Sequence, residues 1–281
     1  MKDPKMFETD ITPTWCPGCG NFGIWSAIKL SLATLAIPNH KVAVVYGIGC
    51  HGNMCDFLSL YGARGLHGRA LPLAQGLKIA NSDATVIAVV GDGDCLGEGG
   101  NHLLHAAKRN PNITVIIHDN QVYALTTGQA SPTAEKGFVT KSTPQGSFED
   151  AVNPVALCLT SGATFVGRGF AGDIPGLSKI FTMAIKHRGF SVVDVLQPCV
   201  TFDPIHTYEW YRKRIYAIDP LASRMSALTK SYEWGEKIPC GIFFQEEVAT
   251  SEDRHEILKA GPLRETTPGF LDREAFLQTF R

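Results

Sequence analysis

Two groups of residues stand out for the chemistry that their types and spacing allow. The first is Gly91-Asp92-Gly93 followed by Asn120. Asp92 ends one β-branched run and Asn120 ends the next, so both reach the carboxyl edge of a sheet, where ligands of open α/β sheets sit. A carboxylate and an amide oxygen converging there suit a hard divalent cation such as Mg²⁺, which completes its shell with phosphate oxygens. Gly91 and Gly93 let the backbone approach a diphosphate, and a helix beginning near Gly99 is expected to offer free N–H groups. The second group is Cys16-Pro17-Gly18-Cys19, a pair of thiols with turn residues between them. Alone it fits zinc, a redox dithiol or half of an iron–sulfur site. Cys50 and Cys199 each follow a strand end and reach the same edge. Four thiolates fit tetrahedral zinc or an iron–sulfur cluster, and the spacing does not separate the two.

The elements that must position these residues are legible as alternating short apolar runs and helical stretches. Strands are expected at Val42–Tyr46, Thr85–Val90, Ile113–His118, from Thr164, and at Ser191–Leu196. Helices are expected at Asn21–Leu35, Ala70–Ala80, from the Gly-rich stretch Gly91–Gly100 to about Arg109, and at Leu177–His187. Near-continuous apolar strands separated by helices predict an α/β fold, a parallel sheet with helices on both faces. Thr126–Gly146 is polar and aperiodic and reads as a long functional loop. Beyond Asp203 the character changes. Tyr208–Tyr216 is amphipathic and basic, and Gly241–Glu246 reads as a short strand. The expected division is a domain over 1–202 and a C-terminal extension over 203–281, packed on that domain or on a partner subunit.

The 281 residues are enough for a sizeable core. Charged residues are 19% against a usual ~25%, which suits a chain that buries much of its surface. The net charge of −1 argues against a nucleic-acid binder. No apolar run approaches the ~20 residues of a membrane helix. Met1–Asp10 is polar, without the apolar core of a secretory signal. The expected location is cytoplasmic, where the eight cysteines are metal ligands or core residues rather than disulfides.

The Gly-Asp-Gly…Asn pattern resembles the thiamine-diphosphate motif. The wider run is more specific: Gly99-Gly100-Asn101-His102, Asp119-Asn120-Gln121-Val122-Tyr123 and Thr127-Gly128-Gln129-Ala130-Ser131-Pro132-Thr133. Upstream stand Trp15-Cys16-Pro17-Gly18-Cys19-Gly20, Gly47-Ile48-Gly49-Cys50 and His67-Gly68-Arg69-Ala70-Leu71-Pro72. In this order they resemble the β subunit of the 2-oxoacid:ferredoxin oxidoreductases over roughly residues 10 to 250. The resemblance implies that Asp92, Asn120 and the Val122 carbonyl bind Mg²⁺. It implies that Ile48, Gly49, Cys50, His51, His67, Gly93, Asp94, Ala124 and Leu125 line thiamine diphosphate. It also implies that Cys16, Cys19, Cys50 and Cys199 hold one [4Fe-4S] cluster. A redox centre, unlike zinc, has a reason to sit beside thiamine diphosphate.

The activity so implied is coenzyme A-dependent oxidative decarboxylation of a 2-oxoacid, 2-oxoglutarate or pyruvate, to acyl-CoA and CO₂, with ferredoxin taking the electrons. No catalytic side chain is assigned beyond the cofactor. The glutamate that thiamine enzymes place against the aminopyrimidine ring belongs in this family to an α subunit, so that partner is expected. His51-Gly52-Asn53 departs from the small or basic residues of many relatives, which leaves the substrate contact open. Two other readings remain: a non-oxidative thiamine-diphosphate decarboxylase or carboligase subunit, and a zinc-stabilised scaffold without catalysis. Of the other cysteines, Cys55, Cys95, Cys158 and Cys240 are not expected to be ligands. His102, His105 and His118 read as packing or structural residues, and Phe202 with the Tyr208–Tyr216 aromatics as core or subunit interface.

Overall fold

The computed structural model describes residues 2–259, 261–265 and 277–278. Helix α1 (Asn21–Leu35) leads into β1 (Val42–Tyr46), a tight helical turn over Cys50–Asp56, and β2 (Tyr61–Arg64). Then come α2 (Ala70–Ala80), β3 (Thr85–Gly91), a wide helical turn over Gly93–Glu98, α3 (Gly100–Arg109) and β4 (Thr114–Asp119). A small hairpin of β5 (Val122–Tyr123) and β6 (Gln129–Ala130) opens the long loop, which ends at α4 (Pro154–Thr160). The chain continues through β7 (Phe165–Phe170), α5 (Ile174–Lys186), β8 (Ser191–Leu196), α6 (Tyr208–Arg212), β9 (Ile215–Ile218), α7 (Arg224–Ser231) and β10 (Ile238–Gln245).

The main sheet has eight strands in the order β2-β1-β3-β4-β8-β7-β10-β9. From β2 to β7 every neighbouring pair is parallel. The sheet is parallel as expected except at one edge, where β10 runs antiparallel to β7 and β9 runs parallel to β10. Such an antiparallel edge is common on otherwise parallel sheets. Much of the 203–281 stretch is thus sheet and helix continuous with the rest. Residues 260, 266–276 and 279–281 of it lie outside the described residues.

Side chains alternate across each strand, so the two faces carry separate cores. Val44, Ile87, Ile116 and Val193 meet Ile24, Ile28 and Leu32 of α1 and Leu177 and Phe181 of α5. Val86, Ala88, Val115 and Val192 meet Leu71 of α2, Leu103 of α3, Val155 of α4 and Ala227 of α7. Helix α1 lies unusually close to the end of β7: a Cβ on Gly23 would stand 2.0 Å from the Ala171 carbonyl oxygen. That approach fixes the start of α1, and with it the preceding Cys16–Cys19 turn, against the edge where β8 delivers Cys199.

Candidate active site

Asp92 follows β3 directly and Asn120 follows β4, so neighbouring parallel strands bring them to one edge. They line an open cavity of about 80 Å³. Around the same cavity the structure places Ile48, Gly49, Cys50, His51, His67, Gly93, Asp94, Val122, Ala124 and Leu125. The chain turns sharply between the two oxygen donors. Gln121 takes a left-handed φ of 61°, rare and costly for a residue with a side chain. Asn120 Oδ1 accepts the Val122 N–H at 3.1 Å, which holds this turn closed.

Asp92 is buried and its Oδ2 is held from the loop: Ser131 Oγ donates to it at 2.6 Å and Thr133 Oγ1 lies 2.7 Å away. Burial pushes the Asp92 carboxyl upward, and the two hydroxyls and the Gly93 N–H oppose the shift. Thr133 Oγ1 is also 2.7 Å from Asp119 Oδ1. Asp119 is pushed well above the usual carboxylate range by burial and by the nearby Asp194 and Asp92. Asp194 in turn accepts the Arg168 Nε–H at 2.9 Å, so one polar row crosses β4, β8 and β7 below the site.

Asp94 organises the opposite wall. Its Oδ1 accepts the Ile48 N–H at 3.2 Å, the Gly68 N–H at 2.7 Å and His67 Nδ1 at 2.8 Å. Gly68 has a φ of +71°, and a Cβ there would meet the Glu98 backbone at 2.4 Å. Only glycine suits both the turn and the approach. Asp94 Oδ2 and His51 Nε2 face each other at 4.0 Å, and neither has a hydrogen-bond partner among the described residues. Burial, with His118 beside it, lowers the His51 pKa to about 3, so the imidazole is neutral. Helix α3 starts at Gly100, as expected, but it is not the helical start nearest the cavity. The chain is already helical from Gly93, in a wide turn, and Gly93 and Asp94 line the cavity whereas Gly99 and Gly100 do not. Wide turns of this kind recur at functional sites.

A second cavity, about 140 Å³, adjoins the first and shares Cys50, Asn120, Ala124 and Leu125 with it. Cys16, Cys19, Cys50 and Cys199 all line it. Cys19 N–H donates to Cys16 O at 2.9 Å, which closes the Cys-x-x-Cys turn. Gly20 N–H donates to Pro198 O at 3.2 Å, which brings Cys199 to that turn. Trp15 Nε1 donates to Cys50 O at 2.7 Å. The sulfurs are themselves hydrogen-bonded. Thr201 Oγ1 donates to Cys16 Sγ at 3.2 Å and Gln197 Nε2 to Cys19 Sγ at 3.6 Å. Backbone N–H groups of Phe202 and Thr201 face the Cys199 sulfur. Burial raises the Cys19 thiol to about 11; the Asn21 N–H opposes this, and the other three thiols add to the rise. Such a set resists ionisation until a cation is among it. Among the described residues no three His, Cys, Asp or Glu side chains converge tightly enough to grip a single metal ion.

Several residues at these cavities carry no role in the sequence reading. Ser131, Thr133 and Asp119 clamp Asp92, Tyr123 and Thr126 line the first cavity, and Gln197 and Thr201 touch the thiols. Phe202 lines the cysteine cavity while packing with Val122, Ala134 and Phe138, so it is both core and wall. His118 is buried, with Nδ1 at 2.8 Å from Asn21 Oδ1 and its ring 5.5 Å from that of His51. Cys95 and Cys158 sit in the core, Cys240 is a partly buried residue of β10, and Cys55 lies against Arg64.

Comparison with known proteins adds identity to this geometry. Residues 18–195 match the family model for the C-terminal TPP-binding domain of thiamine pyrophosphate enzymes. Residues 199–260 match that for the C-terminal part of the pyruvate ferredoxin oxidoreductase beta subunit. A 2-oxoacid:ferredoxin oxidoreductase subunit beta of Saccharolobus solfataricus is 46% identical over 275 residues, 92% of this chain and 88% of that one. The 2-oxoglutarate oxidoreductase subunit KorB of Mycobacterium tuberculosis is 45% identical over 199 residues, 71% of this chain and 53% of that one. A solved 2-oxoglutarate:ferredoxin oxidoreductase from Magnetococcus marinus, with 2-oxoglutarate, coenzyme A and succinyl-CoA bound, superposes with a TM-score of 0.91 at 33% identity. It covers 100% of this chain and 96% of that one.

Proposed function

This chain belongs to the β-subunit family of the 2-oxoacid:ferredoxin oxidoreductases, and from that premise we propose how its two cavities divide the work. It is the thiamine-diphosphate-binding subunit of an oxidoreductase acting on 2-oxoacids, and a β subunit implies an α partner. This membership sets aside the non-oxidative decarboxylase and the zinc scaffold. The observation that carries the proposal is the shared wall, Cys50, Asn120, Ala124 and Leu125, between an oxygen-lined and a thiol-lined cavity.

In the first cavity Asp92, Asn120 and the Val122 carbonyl would hold Mg²⁺. The donor set fits: one carboxylate and two neutral oxygens leave room for phosphate oxygens. Gly93 opens the helical turn and lines this cavity beside Asp94, and its lack of a side chain would let the backbone approach the diphosphate. Thiamine diphosphate, when bound, supplies carbanion stabilisation at the substrate. Asp94 holds His67 and the Ile48 and Gly68 amides in place, and neutral His51 closes the floor. In the second cavity Cys16, Cys19, Cys50 and Cys199 would hold a [4Fe-4S] cluster. Four thiols around one cavity, three of them accepting hydrogen bonds from neighbouring groups, beside the cofactor wall support a cluster over zinc.

The first cavity, at about 80 Å³, is well under the ~300 Å³ of the smallest usual ligand pockets. The α subunit is therefore assigned the other wall. Neither cavity has a lysine or arginine among its described lining residues, so the partner also supplies any cationic contact to a substrate carboxylate. The names of the relatives support 2-oxoglutarate as substrate ahead of pyruvate, with coenzyme A as acyl acceptor and ferredoxin as electron acceptor. No helix among the described residues is long and apolar enough to cross a membrane, and a cytoplasmic setting suits the free thiols.

The test is a screen of the assembled α/β complex with 2-oxoglutarate and pyruvate for coenzyme A-dependent ferredoxin reduction. Turnover with 2-oxoglutarate is expected, and Asp92→Ala should lower it by about 100-fold or more, since even outer-sphere changes cost ~10–100-fold in metal affinity. Release of CO₂ without ferredoxin reduction would overturn the redox assignment.

A further inference from the structure

We propose that Ser131 and Thr133 are positioning residues for Asp92, and that the long loop after β6 assembles the cation site by clamping one oxygen of that carboxylate. The inference rests on the Mg²⁺ reading above and adds to it which residues set the affinity. Both hydroxyls reach the same atom, Asp92 Oδ2, at 2.6 and 2.7 Å, and both are buried. Held at Oδ2 from the loop, the carboxylate is fixed in orientation at the wall of the cavity. A carboxylate pinned in this way loses little freedom on binding, and outer-sphere hydrogen bonds of this kind orient metal ligands.

The same loop places the other two donors. Residue Ala130 pairs with Val122 across the hairpin, and Ser131 N–H donates to Gln121 O at 3.1 Å. These bonds hold the left-handed Gln121 turn on which Asn120 and the Val122 carbonyl depend. Ser131 therefore ties Asp92 and the Asn120–Val122 turn together through its side chain and its backbone. Thr133 is anchored from behind, with its N–H donating to Ser131 Oγ at 3.3 Å and its hydroxyl reaching Asp119. An occupied Asp119 side prevents Thr133 from rotating away without loss of a second buried contact.

The experiment uses the assembled complex, freed of cofactor and divalent ions, with the Mg²⁺ concentration for half-maximal thiamine diphosphate binding read by calorimetry. Ser131→Ala and Thr133→Val should each raise that concentration by roughly 10–100-fold. Thr133→Ser, which keeps the hydroxyl, should stay near wild type. The cysteine-bound chromophore and its iron content should be the same in all three variants, which separates loss of the clamp from loss of the fold. If Thr133→Val binds the cofactor at the wild-type Mg²⁺ concentration, or if Thr133→Ser fails as badly as Thr133→Val, the clamp is wrong. Asp92→Ala tells that failure apart from failure of the cation reading itself. A normal Mg²⁺ dependence in Asp92→Ala would remove the cation from this site and the clamp with it.

Discussion

His206 shows how far a residue's meaning can hide from its sequence neighbourhood. It lies in the segment after Cys199, and its buried ring is held by Asp203 at 2.7 Å on one nitrogen and by Glu135 at 3.4 Å on the other. Burial alone would lower its pKa, but the two carboxylates outweigh burial and raise it from 6.5 to about 9. The folded state thus binds the proton more tightly than the unfolded chain. The stabilisation is fully present below pH 6.5 and is lost as pH rises through about 9. Urea midpoints measured across that window should fall more steeply for the wild type than for His206→Gln. Parallel curves would show that the clamp between the Cys199 segment and the long loop contributes nothing. Asp203 stands close in sequence and was available as a signal; Glu135 was not, because only the folded loop brings it there. Asp92 and Asn120 are the opposite case. Each follows an apolar run that must be a strand, so linear order alone aims both at one edge. Ser131 and Thr133 follow no such rule, since their contact with Asp92 depends on a loop folding back over the edge.

At the scale of elements, the buried strands and the long helices are legible because their apolar runs are nearly continuous. Val42–Tyr46, Ser191–Leu196 and Asn21–Leu35 begin and end where the pattern does. Strand β2 is mostly exposed at the sheet edge, and Tyr61–Arg64 carries no apolar alternation to reveal it. The first half of β10 and all of β9 were hidden in a stretch whose amphipathic pattern changes within a few residues. Helix α4 carries a readable start, Asn153 capping Ala156 N–H with Pro154 in the first turn, but it is only seven residues long. Helix α1 matters most for function, because its start carries the Cys16–Cys19 turn. Gly23→Ala would push a methyl to 2.0 Å from the Ala171 carbonyl, so α1 must move off the sheet end. A cost of about 1–3 kcal/mol is expected from overpacking of this kind. Denaturant titration measures it, and an unchanged midpoint would show that α1 has slack at this contact.

For the whole molecule, the sheet topology explains why the candidate oxygen and sulfur donors share one edge. Strands β1, β3, β4 and β8 are parallel, so the residues that follow them, Cys50, Asp92, Asn120 and Cys199, emerge on the same side. Only the Cys16–Cys19 pair arrives from elsewhere, at the start of α1. Alternation of strand and helix made this edge predictable; the small size of the first cavity was not, because it depends on how the loop segments Ile48–His51 and Val122–Thr126 fold over the edge. The central claim is that the four thiols hold a redox cluster beside the cofactor wall. The most direct test is anaerobic purification of the α/β complex in wild-type and Cys50→Ser forms, with iron, zinc and acid-labile sulfide counted and visible spectra recorded. The account predicts that the variant loses about four irons and four sulfides per β chain, with a matching loss of reducible absorption near ~400 nm. Equal iron and sulfide in both forms, or zinc at the cysteines of the wild type, would contradict it.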